Sequence, residues 1–136
     1  MTQNTDKQVN IDPKNNPEGV VEKVITNLYD KAIIGEEQFG NILLAVTEAV
    51  SNAVEHGNKN NPNKTVQLSY TSSPEEITFM VSDQGQGFDL SEVPDPTHPE
   101  NHDPEAGRGI FVMKHLADKM ELQDNGKKVV LSFNLN

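Results

Sequence analysis

Apolar residues recur along this chain with two different periods. Val20, Val21, Val24, Ile25 and Leu28 fall at three- and four-residue steps, which predicts an amphipathic helix ending near Lys31. Asn16-Pro17-Glu18 marks its start: a capping amide, a proline whose missing N–H is harmless in the first turn, and an acid at the positive end of the helix dipole. Gly35, Glu36 and Glu37 open a second helix. Its stripe of Ile42, Val46, Ala49, Val50 and Ala53 carries it to about His56, and Gly57 ends it. The run Asn58 to Asn63 then reads as loop.

Beyond the loop the period changes to two. Val66, Leu68 and Tyr70, then Ile77, Phe79 and Val81, alternate with polar residues on either side of Ser72-Ser73-Pro74-Glu75, the pattern of an antiparallel hairpin. Because the opposite faces hold Thr65, Gln67, Ser69, Thr78 and Ser82, helices are expected to cover one side of the sheet only. Gln8 to Ile11 predicts a short alternating edge strand, with residues 1–7 expected to be disordered. From Ser91 to Glu105 four prolines and several acids leave no hydrophobic period, so this stretch reads as a mobile loop. Ile110, Met113, Leu116 and Ala117 make a short helix. A last hairpin joins Met120-Glu121-Leu122 to Val129 to Phe133 through Asp124-Asn125-Gly126. There is no internal repeat. The expected architecture is α+β: a two-layer sandwich of a mixed, mainly antiparallel sheet covered on one face by three helices.

With 136 residues the chain is expected to form a single domain over 1–136. Its modest 34% hydrophobic content is depressed by the first nineteen residues and by Ser91 to Glu105, so the remainder has an ordinary apolar share. No run approaches a membrane span, and the N-terminus lacks the basic and apolar regions of a signal peptide. The absence of cysteine removes disulfides, a thiolate nucleophile and thiolate zinc sites, and the expected compartment is the cytoplasm. Eleven basic residues against 21 acidic ones, net −10, argue against a duplex nucleic-acid surface. A polyphosphate ligand must therefore be neutralised locally, by a cation, backbone N–H groups or a few basic side chains.

Candidate chemistry lies in three separated segments. Glu48, Asn52 and His56 follow one another at four-residue steps, each about 400° around the helix and about 6 Å along it, so they share one face beside the apolar stripe. Asn52 offers a neutral oxygen suited to Mg²⁺, and Glu48 one turn away is placed to orient or deprotonate a hydroxyl nucleophile. His56 fits a phosphate contact or a capping role equally. On a surface helix Glu48 and Asn52 also read as ordinary solvated residues. Asp83 continues the buried row Ile77, Phe79, Val81 and needs a donor, either the exocyclic amine of adenine or the N–H groups of its own turn, Gln84-Gly85-Gln86-Gly87. Gly107-Arg108-Gly109 stands before the helix expected near Ile110, where free N–H groups form an anion site or merely a cap.

Competing motifs fail. Gly35 and Gly40 have P-loop spacing, but Asn41 stands where the lysine belongs and no strand precedes them. A calcium loop from Asp83 ends on Pro94 at its twelfth position. His98 and His102 are four apart with Pro99 between them, which makes metal binding there the lesser reading.

Taken in order, Thr47 to Gly57, Asp83-Gln84-Gly85-Gln86-Gly87 and Gly107-Arg108-Gly109 resemble the N-box and two glycine boxes of the GHKL (Bergerat-fold, histidine-kinase-like) ATPases. Within that superfamily the chain, from about Val9 to Leu135, is similar to the anti-sigma-factor serine/threonine kinases. The resemblance implies ATP and Mg²⁺ as cofactors, Glu48 as base, Asn52 as the magnesium-holding residue and Asp83 as the adenine-binding one. His56, Gly85, Gly87, Gly107, Arg108 and Gly109 join the ATP-binding set, and residues 89–108 form an ATP lid. It further implies a homodimer that sequesters a sigma factor and phosphorylates a serine or threonine of a STAS-type anti-anti-sigma protein, away from nucleic acid and membrane. Two departures stand out: Lys127 and Lys128 follow Gly126 where a hydroxyl residue is common, and Glu105 replaces a common arginine. Alternatives are a nucleotide-binding regulatory module without phosphotransfer, or a detached ATPase domain of a histidine-kinase-like system.

Overall fold

A computed structural model describes residues 5–85 and 104–135. Strands β1 (Thr5–Ile11), β2 (Val66–Ser72), β3 (Glu76–Ser82), β4 (Lys119–Gln123) and β5 (Lys128–Asn134) form one sheet in the order β1-β2-β3-β5-β4. Every pairing in it is antiparallel, so the mixed component expected from sequence is absent among the described strands. The reason is connectivity: α1 and α2 return the chain to β2 beside β1 in the opposite sense, and the two hairpins do the rest.

Helices α1 (Pro17–Asp30), α2 (Glu36–Asn52) and α3 (Pro104–Leu116) supply the second layer, with α2 packed against both of the others. Asn16 caps α1, its side chain accepting from Gly19 N at 3.3 Å while its own backbone sits in the left-handed region that asparagine tolerates. At the start of α2, Gln38 reaches back so that Gly35 N donates to its Oε1 at 2.9 Å. Val21, Ile25, Leu28, Ile42, Val46 and Val50 meet Leu68, Ile77, Phe79, Val81, Leu131 and Phe133 in a single cluster. Phe79 lies at its centre, its ring 5.9 Å from Tyr70 and 6.0 Å from Phe133. The buried positions of β2 and β3 alternate as the period of two requires.

Three boundaries differ from the sequence expectation. β1 begins at Thr5, so residues 5–7, expected to be disordered, belong to the edge strand; backbone pairing of Thr5 with Ser72 through Lys7 with Tyr70 holds them without an apolar side chain. The α-helix of α2 stops at Asn52 and gives way to a π turn over Ala53–Gly57. α3 begins at Pro104, six residues before Ile110, since proline suits a helix's first turn even where no apolar residue has yet appeared. Residues 104–108 are therefore helical and not part of a lid loop, and 89–103 lie outside the described residues.

Candidate functional site

Helix α2 delivers Glu48 and Asn52 one turn apart, the first half-buried and the second only 3% exposed. Past Asn52 the hydrogen-bond ladder widens, and Asn58 N donates to Ala53 O, five residues back, at 2.8 Å. Such π turns disturb the regular register of a helix and concentrate at functional sites. Here the turn carries His56 to a half-buried position with Nε2 3.9 Å from Glu55 Oε2.

Helix α3 reaches α2 through Gly109. A Cβ at that residue would stand 2.5 Å from Asn52 Nδ2 and 3.0 Å from its Oδ1, so only glycine lets the α3 backbone close on the amide. Asn52 Nδ2 is buried and has no hydrogen-bond partner among the described residues. A donor left in that condition costs about 1–3 kcal/mol, the signature of a group waiting for a ligand. Glu48, Ser51, Asn52, Glu55 and Arg108 line a cavity of about 280 Å³ beside it. Burial raises the Glu48 carboxyl above its ordinary value of 4.5, and the negative charges of Glu55 and then Glu18 add to the effect. A carboxylate so placed is a stronger base than one in open water.

A second cluster forms around the end of β3. Asp83 is buried, anchored by its own N–H to Lys127 O at 2.9 Å, and its Oδ1 accepts from Gly85 N at 2.9 Å. The turn-satisfied reading of Asp83 is thus realised at that oxygen. The carboxylate lies directly against Gly57, and Gly85 lies directly against the Gly57 carbonyl, with no room for a Cβ at either glycine. Asn58, 3% exposed, locks the arrangement: its Oδ1 accepts from Gln84 N at 2.7 Å and its Nδ2 donates to Thr65 O at 3.0 Å. Gly57, Asn58, Lys59, Asn61, Lys64 and Gly85 line a cavity of about 240 Å³ there.

Of the residues singled out from sequence, Glu48, Asn52, Arg108 and Gly109 come together, and Asp83 and Gly85 meet the end of the same helical segment at Gly57. Asn52 and Asp83 do not line one cavity; Asp83 borders the second through its two glycine neighbours. His56 lines neither of these cavities. Gly107 lies within α3 instead of preceding it, and Gly87 lies outside the described residues. Asn58, Ser51 and Glu55 were not foreseen. Asn58 follows Gly57 as a turn residue should, but nothing local encodes the reach of its amide to Gln84, 26 positions away.

These contacts make two glycines opposite in their sensitivity. Gly85→Ala drives a methyl group into the Gly57 carbonyl and is expected to cost about 1–3 kcal/mol. Gly40→Ala, in mid-helix with open space around the new carbon, is expected to gain about 0.5–1 kcal/mol. Chemical denaturation of both variants checks the pair.

A family model described as the histidine kinase-like ATPase domain matches residues 13–133. The chain belongs to the histidine kinase-like ATPase family. Its α+β sandwich is the one expected of that family. Among relatives of this family member, the serine-protein kinase RsbW of Oceanobacillus iheyensis is 26% identical over 121 residues, covering 84% of this chain and 77% of that protein. RsbW of Bacillus subtilis is 24% identical over 125 residues, covering 87% and 78%. An anti-sigma F factor of Clostridium perfringens is 31% identical over 105 residues, covering 74% and 75%. The resemblance to anti-sigma serine kinases is therefore shared by most of the chain. Among the described residues, no helix is long and apolar enough to cross a membrane.

Proposed function

We propose that this protein is an ATP- and Mg²⁺-dependent serine/threonine kinase that phosphorylates an anti-anti-sigma protein of the STAS type and also sequesters a sigma factor. The observation that carries the reading is the meeting of Asn52 with Gly109, beside a cavity that Glu48 and Arg108 share. Relatives named as serine-protein kinases and anti-sigma factors support it.

The residues present fit the cofactor. Among the described residues no group of three or more His, Cys, Asp or Glu is placed to hold a metal. A cation here depends on the Asn52 amide oxygen, water and phosphate, the ligand set that suits Mg²⁺ and not a dedicated protein cage. When bound, Mg²⁺ neutralises phosphate charge and helps align the terminal phosphoryl group for displacement. Asn52 Nδ2 then donates to a phosphate oxygen, and Arg108, lining the same cavity, supplies positive charge to a chain of net −10. Glu48 would accept the proton of the substrate hydroxyl as that oxygen attacks the γ-phosphorus, while the bond to the β,γ-bridging oxygen breaks and ADP leaves. Asp83, at the far end of the π turn, is assigned to the adenine amine, its carboxylate held by Gly57, which packs directly against it, and by the N–H of Gly85.

Incubation with γ-labelled ATP, Mg²⁺ and a cognate STAS protein tests the proposal. Label on a serine or threonine of the partner is the expected result. Tight ATP binding with no labelled product would replace the kinase by a nucleotide-tuned binding module.

A further inference from the structure

A larger cavity of about 400 Å³ opens between the segment that follows β1, the first turn of α1 and the C-terminal half of α2. Val54 provides apolar wall above the buried Val21 and Val50, while Glu18 and Glu55 bring two carboxylates to it. Among the described residues, no lysine, arginine or histidine lines it. Ser51 and Glu55 line both this cavity and the one that holds Glu48, so the two are adjacent along α2. A pocket with an aliphatic wall, two acids and no basic lining residue is the complement of a long cationic side chain, whose methylene stem takes the valines and whose head takes the carboxylates.

We propose that this cavity receives a lysine or arginine of the protein substrate, carried on the segment that presents the acceptor hydroxyl to Glu48. The proposal rests on the kinase reading and adds a substrate class to it: acceptor segments with a basic neighbour. The fields of Glu18 and Glu55 already reach the Glu48 carboxyl, so negative charge is gathered at this junction. The same charge repels nucleotide phosphates, so the cavity discriminates between the two reactants.

The test uses the full chain with the STAS protein it phosphorylates. Glu18 is exposed on the first turn of α1, so its variants keep the fold. Glu18→Lys is expected to raise KM for the protein substrate about tenfold and Glu18→Gln about threefold, with ATP affinity not weakened by either change. Glu22→Lys, one turn on and outside the cavity, is expected to leave KM unchanged. On the partner, one Lys→Glu or Arg→Glu change near the acceptor should abolish transfer from the wild-type kinase and recover it with Glu18→Lys. The inference is overturned alone if transfer proceeds with the same KM in Glu18→Lys, if Glu22→Lys raises KM equally, or if no partner variant is rescued. Absence of transfer by the wild-type chain overturns the kinase reading and the inference together.

Discussion

Glu48→Gln is expected to lower phosphate transfer to the protein substrate by about 10²–10⁴-fold while ATP affinity stays close to that of the wild type. The amide keeps the size and much of the hydrogen bonding of the carboxylate but takes no proton. Stability moves the other way. Because the folded carboxyl titrates above 4.5, the folded state binds its proton more tightly than the unfolded state does. Its stabilising contribution is thus present below 4.5 and lost as pH rises through the higher folded value, leaving a charged, partly buried group at neutral pH. The glutamine variant should be the more stable protein at pH 7, with the advantage vanishing as pH falls below 4.5. Denaturation curves across that range, beside transfer assays at pH 7, check both signs. A variant with unchanged transfer removes Glu48 from the role of base.

Asn52→Ala is expected to weaken ATP binding in Mg²⁺ by about 10–100-fold or more, since it deletes the oxygen proposed to hold the metal and the donor beside it. The same change removes a buried N–H that has no partner among the described residues, a defect of about 1–3 kcal/mol offset by the volume lost. The ligand-free variant should therefore melt close to the wild type, while the thermal shift that ATP and Mg²⁺ give the wild type should be lost. Titration calorimetry and melting with and without nucleotide separate the two effects. Equal affinity in the variant would take Asn52 out of the site.

Much of this arrangement is legible in the residues themselves. Period-two alternation placed β2 and β3, and it carried Asp83 onto the buried row where the structure finds it. The four-residue step correctly put Glu48 beside Asn52. What escaped were features decided by contacts between distant segments. Asn52 reads as a flank residue because α2 alone does not reveal that α3 will settle on it through Gly109. The π turn at Ala53–Gly57 ends where the carboxylate of Asp83 packs against Gly57, a contact that no helical propensity encodes. Thr5 to Lys7 carry no apolar signal at all and are held by a backbone ladder. Asn58 looked like loop and proved to be a buried clamp.

The central claim is that the two ends of the π turn mark one nucleotide site, metal at Asn52 before it and base at Asp83 against Gly57. The most direct test is a crystal structure with a non-hydrolysable ATP analogue and Mn²⁺, the metal located by its anomalous signal. The account predicts manganese against the Asn52 side chain and the adenine amine on Asp83. A metal bound elsewhere, or an adenine ring that does not contact Asp83, would contradict it.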